Sequence, residues 1–227
     1  MAISNDSRTR IKKVFEPIAL GMGRLGLTPD ALTLLGFAIT VVGAALISQQ
    51  LWLAGGVVVL FGGVFDLFDG TLARATGRVS NLGAFMDSVF DRAGEVIVYI
   101  GIVAGLQAVG IADGSLLAAA ALGSAVMVSY VRAKSEGLGF THGTGMAAIG
   151  IMPREVRIVV LSIGLVLAGL LGMRPDPSSC ATCAGGMALP TGAAALFIAL
   201  GIIILGSILT TVQRILHVRQ QARQQST

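Results

Sequence analysis

An all-α integral membrane protein, with six transmembrane helices behind an N-terminal interfacial amphipathic helix, is the fold class that the sequence predicts. Three observations predict it. Hydrophobic residues make up 54% of the 227 and charged residues only 12%, against roughly 25% charged in soluble domains. Apolar runs recur at 31–48, 51–65, 93–109, 115–131, 156–173 and 191–212, and they reach spanning length once their charged ends are counted as helix. All sixteen Lys and Arg except Arg174 fall at the termini or in alternate connections, the asymmetry that places those segments in the cytoplasm. The expected organisation is a cytoplasmic N-terminus with its interfacial helix (1–27), a six-helix domain (28–218) and a polar tail (219–227). The protein is expected to be multi-pass in the cell (inner or plasma) membrane, with both termini cytoplasmic. Its net charge of +4 then describes a surface facing anionic lipid, and nothing points to nucleic acid. The first long apolar run begins only at Ala31, too late for a signal peptide.

In chain order, Ile11, Val14, Phe15, Ile18, Met22 and Leu25 follow helical spacing, with Lys12, Lys13 and Glu16 on other faces. This is either a helix lying on the inner leaflet, kinked at Pro17, or a helix packed on the protein's own surface. Thr28 and Pro29 make a helix start, as N-cap and first helical residue. Ser48, Gln49 and Gln50 allow only a tight outside turn to the second span. That second run, 51–65, gives about 22 Å of helix against a hydrocarbon layer of about 30 Å. Asp66 is therefore expected below the cytoplasmic boundary unless the helix tilts or the bilayer thins. The polar tail after Val218 is expected to fray.

Chemistry concentrates between Asp66 and Asp91, DLFDGTLARATGRVSNLGAFMDSVFD. Asp66 and Asp69 are three apart and Asp87 and Asp91 four apart, so each pair projects from one face of its helix. Four acids then meet across one helix pair at the membrane edge. A bound cation is the simplest way to keep them ionised there, and an all-oxygen donor set favours Mg²⁺ or Mn²⁺. Gly70 and Ala73 open a strip beside the acids where a ligand can reach the backbone, and Arg74 adds a cation for phosphate. The alternative is that these small residues only pack helices. Ser80 caps the third span or donates to a ligand, and Gly83 relieves crowding before Asp87. Glu95, four beyond Asp91, is expected to orient an arginine or a water.

Asp69-Gly70, Ala73-Arg74, Gly83, Asp87 and Asp91 match D-G-x2-A-R-x8-G-x3-D-x3-D at every fixed position, and this stretch resembles the signature of the CDP-alcohol phosphotransferase family. The resemblance implies transfer of a phosphatidyl-type group from CDP-diacylglycerol to an alcohol, with release of CMP and two divalent ions, Mg²⁺ or Mn²⁺, per site. It implies Asp66, Asp69, Asp87 and Asp91 as metal ligands, with Asp91 also the base that deprotonates the acceptor. Gly70, Ala73, Arg74 and Ser80 would hold the CDP-lipid. Pro29, Asp30, Ala31 and Leu32 would join them from a Thr-Pro-Asn-x-x-Thr-like stretch in which Asp30 replaces the usual Asn. A homodimer is implied as well.

Arg132, Lys134, Arg154 and Arg214 lie at the inner ends of the fourth, fifth and sixth spans. On physics alone they are either topological charges or a phosphate pocket. Their pattern resembles the phosphatidylinositol phosphate synthase branch of the family. That branch implies a phosphorylated acceptor, with inositol phosphate (1D-myo-inositol 3-phosphate) ahead of glycerol 3-phosphate. A divalent cation transporter is the reading of another class, but beyond the motif only Glu95 continues an acidic path. Cys180 and Cys183 form a local disulfide or nothing functional, and neither His142 nor His217 is assigned to metal.

Overall fold

The computed structural model describes residues 16–111, 113–140, 149–173 and 189–225. Among these the chain is all-helical, without a strand: α1 (16–24), α2 (Pro29–Ser48), α3 (Trp52–Ala75), α4 (Asn81–Ala108), α5 (Asp113–Gly137), α6 (Arg154–Leu171) and α7 (Thr191–Gln225). Each apolar run lies on one helix to within two residues, and α3, α4, α5 and α7 extend beyond their runs because the charged and polar flanks continue the intrahelical hydrogen bonds. α3 therefore carries Asp66, Asp69 and Arg74 within its own length. The starts follow the local chemistry. Thr28 Oγ1 accepts from the Ala31 N–H at 3.2 Å at the head of α2, and Ser80 Oγ accepts from the Gly83 N–H at 2.9 Å at the head of α4, each satisfying a donor that the helix leaves open. α3 stops at Gly77, whose φ of 67° is left-handed. There the Arg78 N–H donates back to the Ala73 carbonyl at 2.9 Å, the geometry that a glycine past a helix end permits.

α2 packs on α3 and α4, α6 joins α3 to α7, and α5 closes against α7 and α4. The shared core includes Ile47, Trp52, Tyr99, Ile102, Leu165 and Leu200. Close approach depends on small residues: a Cβ on Gly105 would stand 2.6 Å from the Ile47 carbonyl oxygen. A smaller cluster forms where Ala19 of α1 meets Leu32, Phe68 and Leu72, with Met22 and Leu27 alongside. Residues 16–24 thus pack on the protein's own surface, while Ile18 and Leu25 stay exposed.

Four helices, α2, α3, α5 and α7, are long and apolar enough to cross a membrane. The expectation was six. α4 and α6 fall short by composition, because α4 carries Asp91, Arg92 and Glu95 and α6 carries Arg154, Glu155 and Arg157. The tail departs from expectation too: α7 continues through Arg219 and Arg223 to Gln225. At 35 residues it measures about 52 Å, so its polar end extends the helix well past a bilayer's hydrocarbon. Ile11, Val14, Phe15, His142, Arg174, Cys180 and Cys183 lie outside the described residues.

Candidate active site

The turn at Gly77 and the Ser80 cap return the chain into α4. Because α3 and α4 both pack on α2, rather than forming the single helix pair that the spacing suggested, Asp69 and Asp87 reach the wall of one cavity of about 260 Å³ beside the head of α2. Pro29, Asp30 and Thr33 from the head of α2 line its far side, and Gly70, Ala73, Arg74, Arg78, Ser80 and Gly83 complete it. Several sequence-chosen contacts therefore share a single space. The Arg74 guanidinium lies folded over Gly70, where a Cβ would stand 3.4 Å from Nη1. The Asp30 carboxylate faces Gly83 across the opening. Two expected contacts are elsewhere. Leu32 is fully buried in the cluster with Ala19, Phe68 and Leu72, and Ala31 is not among the lining residues, its N–H being spent on the Thr28 cap.

The four acids are held in different ways. Asp69, 5% exposed, accepts a 2.6 Å hydrogen bond from Thr33 Oγ1 and another from the Gly70 N–H. Asp66 and Asp91 share one partner: Arg154 Nη2 lies 2.7 Å from Asp66 Oδ2, and Arg154 Nη1 lies 2.7 Å from Asp91 Oδ1. Asp66 fits against α2 because Gly36 has no side chain, since a Cβ there would collide with Asp66 Oδ1. Asp87 is half-buried on the cavity wall, and no hydrogen bond ties it to the other described residues.

Carboxylate oxygens are the hard donors that suit Mg²⁺ or Mn²⁺, and a cation already bridges two of the four. By chemistry the donor set fits a divalent ion. As placed, no three His, Cys, Asp or Glu side chains among the described residues converge on one point. The guanidinium stands between Asp66 and Asp91, and Asp69 is turned toward Thr33.

Glu95 does orient arginines. Its Oε1 accepts from Arg157 Nε at 2.9 Å, and its Oε2 accepts from Arg92 Nη1 at 2.6 Å and Arg157 Nη2 at 3.2 Å. Arg92 also reaches Ser129 Oγ at 2.6 Å, so one buried network ties α4 to α5 and α6. In the sequence Thr33 is only the end of the Thr28–Thr33 stretch and Arg92 and Arg157 only cytoplasmic charges, because the partners of Thr33 and Arg157 are found only in three dimensions.

The expected acceptor cations lie at the same end of the bundle but do not form one open cradle. Arg132 is exposed and pairs with Glu136 at 2.9 Å, and Lys134 is exposed on the same helix. Arg154 is spent on the acids. Arg214, 3% exposed, donates to the Val128 carbonyl at 2.6 Å and to the Ile149 carbonyl at 3.0 Å. Its role in the fold is to pin the segment before α6, which Thr210 holds as well by accepting from the Ile151 and Met152 N–H groups.

The chain is similar to known proteins in sequence and in fold. The archaetidylinositol phosphate synthase of Pyrococcus horikoshii is 36% identical over 156 residues, covering 69% of this chain and 78% of that protein. The phosphatidylinositol phosphate synthase of Cutibacterium acnes is 35% identical over 212 residues, 92% of this chain and 93% of that one. Among solved structures, the Mycobacterium tuberculosis phosphatidylinositol phosphate synthase with CDP-DAG bound superposes with a TM-score of 0.70 at 29% identity, covering 91% of this chain and 94% of that one. The same enzyme in complex with manganese and citrate gives 0.71 at 28%, covering 90% and 88%. The CDP-alcohol phosphatidyltransferase model matches residues 26–222, a span that holds every described acid and cation of the site, and the chain belongs to that family.

Proposed function

We propose that this chain transfers the phosphatidyl group of CDP-diacylglycerol to a phosphorylated alcohol, 1D-myo-inositol 3-phosphate, giving phosphatidylinositol phosphate and CMP. One observation carries the reading: Pro29, Asp30, Gly70, Ala73, Arg74 and Ser80 line the same cavity as Asp69 and Asp87. A nucleotide diphosphate seated there meets Arg74 and Arg78 at its phosphates and the bare backbone of Gly70 beside the acids. Relatives named as archaetidylinositol phosphate and phosphatidylinositol phosphate synthases favour inositol phosphate over glycerol 3-phosphate. An ion path is disfavoured because the next acid, Glu95, is locked by Arg92 and Arg157.

In the reaction, the acceptor hydroxyl oxygen forms a bond to the phosphatidyl phosphorus as the bond from that phosphorus to CMP breaks. CMP leaves with the electron pair, and Asp91 takes the hydroxyl proton. Asp66, Asp69, Asp87 and Asp91 would hold two Mg²⁺ or Mn²⁺ ions. When bound, such ions supply neutralisation of the charge that develops on the diphosphate oxygens. The manganese-bound relative supports a divalent requirement. Thr33 fixes the position of the Asp69 carboxylate through its 2.6 Å hydrogen bond. Arg132, Lys134 and Arg154 take the acceptor phosphate, with Arg214 holding the wall behind them.

The same reading makes α4 and α6 the third and fifth of six spans, since both pack within the bundle of the four apolar helices. Their charges gather at the end that carries the acids, which faces the cytoplasm. The family match supports one catalytic domain over 28–218, and the chain acts as a homodimer. CMP release by the purified protein in detergent tests the reaction, with inositol phosphate, inositol, glycerol 3-phosphate and serine compared as acceptors. Release with inositol phosphate above all others is expected, and preference for glycerol 3-phosphate would replace the acceptor.

A further inference from the structure

Arg154 opens α6, yet its guanidinium crosses to carboxylates on two other helices, Asp66 of α3 and Asp91 of α4, at 2.7 Å each. One planar cation thereby bridges two acids on different helices. The other arginines nearby are committed differently: Arg92 and Arg157 both bond to Glu95, and Arg92 stands 3.7 Å from Asp91. The seat is also imperfect for a guanidinium. Arg154 Nε is buried without a hydrogen-bond partner among the described residues, although the group carries five donors in a fixed fork. An unpaired buried donor weakens the arrangement that buries it.

We propose that Arg154 is a built-in counter-cation of the acidic cluster, which a divalent ion displaces from Asp66 and Asp91. This rests on the metal reading above. Each carboxylate has a second oxygen, so the competition is electrostatic as well as steric: a divalent ion brought within a few ångströms of a guanidinium in a partly desolvated site repels it. In the absence of metal the guanidinium neutralises acids of α3 and α4 that would otherwise repel one another. When metal enters, the cation is released from both carboxylates at the N-terminal end of α6. Metal entry has to work against the arginine-in state, so apparent affinity falls by the fraction of molecules in which the arginine is already out.

The test measures Mn²⁺ binding to the purified full chain in detergent by the electron paramagnetic resonance signal of free Mn²⁺, with thermal melting in chelator alongside. Arg154→Gln removes the charge at similar length. It is expected to bind Mn²⁺ about tenfold more tightly than wild type, as for an arginine-in state favoured about ten to one, and to melt lower in chelator. Should that variant not fold, Arg154→Lys, whose single ammonium engages one carboxylate better than two, is expected to bind about threefold more tightly. Mn²⁺ affinity equal to or weaker than wild type in the folded variant overturns the displacement while leaving the metal site standing. Failure of wild type itself to bind Mn²⁺ overturns the metal reading and this inference with it.

Discussion

At the scale of single residues, the acids divide by what holds them, and the division sets what each substitution should do. Asp91→Asn removes the proposed proton acceptor, so turnover should fall by about a hundredfold or more while CDP-diacylglycerol still binds. Steady-state CMP release set beside donor binding separates the two effects, and normal turnover would take Asp91 out of that role. Thr33→Val deletes the 2.6 Å hydrogen bond to Asp69. Such a bond to a carboxylate contributes roughly 1.5–3 kcal/mol, so the Mn²⁺ concentration for half-maximal activity should rise about tenfold or more, and Thr33→Ser should restore it. An unchanged Mn²⁺ requirement in the valine variant would show that Asp69 does not depend on Thr33. The motif made the aspartates legible, and the spacing of Thr28, Pro29 and Ser80 made the caps legible, because both depend on neighbours in sequence. Thr33 with Asp69, and Arg154 with Asp66 and Asp91, were not legible: their partners lie 36 and more residues away. For Arg214, too, the partners were not legible. Its partners are the carbonyls of Val128 and Ile149, which no residue letter announces.

At the scale of elements, α4 is joined to α5 and α6 through one carboxylate. Glu95 is nearly buried and serves Arg157, itself 2% exposed. Removing one partner of a buried ion pair strands the other charge and costs roughly 3–5 kcal/mol. Glu95→Gln should therefore lower the melting temperature in detergent markedly, and Glu95→Asp should recover part of the loss. Melting at the wild-type temperature in Glu95→Gln would mean that water reaches Arg157. The sequence located these helices by their apolar runs but misjudged their ends. Charged and polar flanks such as Asp66–Ala75 and Arg219–Gln225 continue as helix because nothing in them breaks the backbone ladder before Gly77 in the one case or up to Gln225 in the other. Leu32, taken from the resemblance as a ligand contact, belongs instead to the face of α2 that packs on Phe68 and Leu72.

At the scale of the whole molecule, helix order puts two different surfaces at the two ends of the bundle. The α2–α3 turn at Gln49 and Gln50 lies with Gly172 and Met173, while Arg154, Asp66 and Asp91 meet at the other end. Cysteines introduced singly at Gln50 and Val79 should therefore be labelled by a membrane-impermeant reagent from opposite sides of sealed vesicles, Val79 from the cytoplasmic face. Labelling of both from one side would overturn the arrangement. The proposed reaction follows from that polarity, since the diacylglycerol chains stay in lipid while the diphosphate enters the cavity at the acidic end. The most direct test is CMP release from CDP-diacylglycerol by the purified protein, measured with Mn²⁺ or chelator and with or without inositol phosphate. The proposal requires release only when metal and inositol phosphate are both present, with phosphatidylinositol phosphate formed in equal amount. CMP release undiminished in chelator, or equally fast without any phosphorylated acceptor, would contradict it.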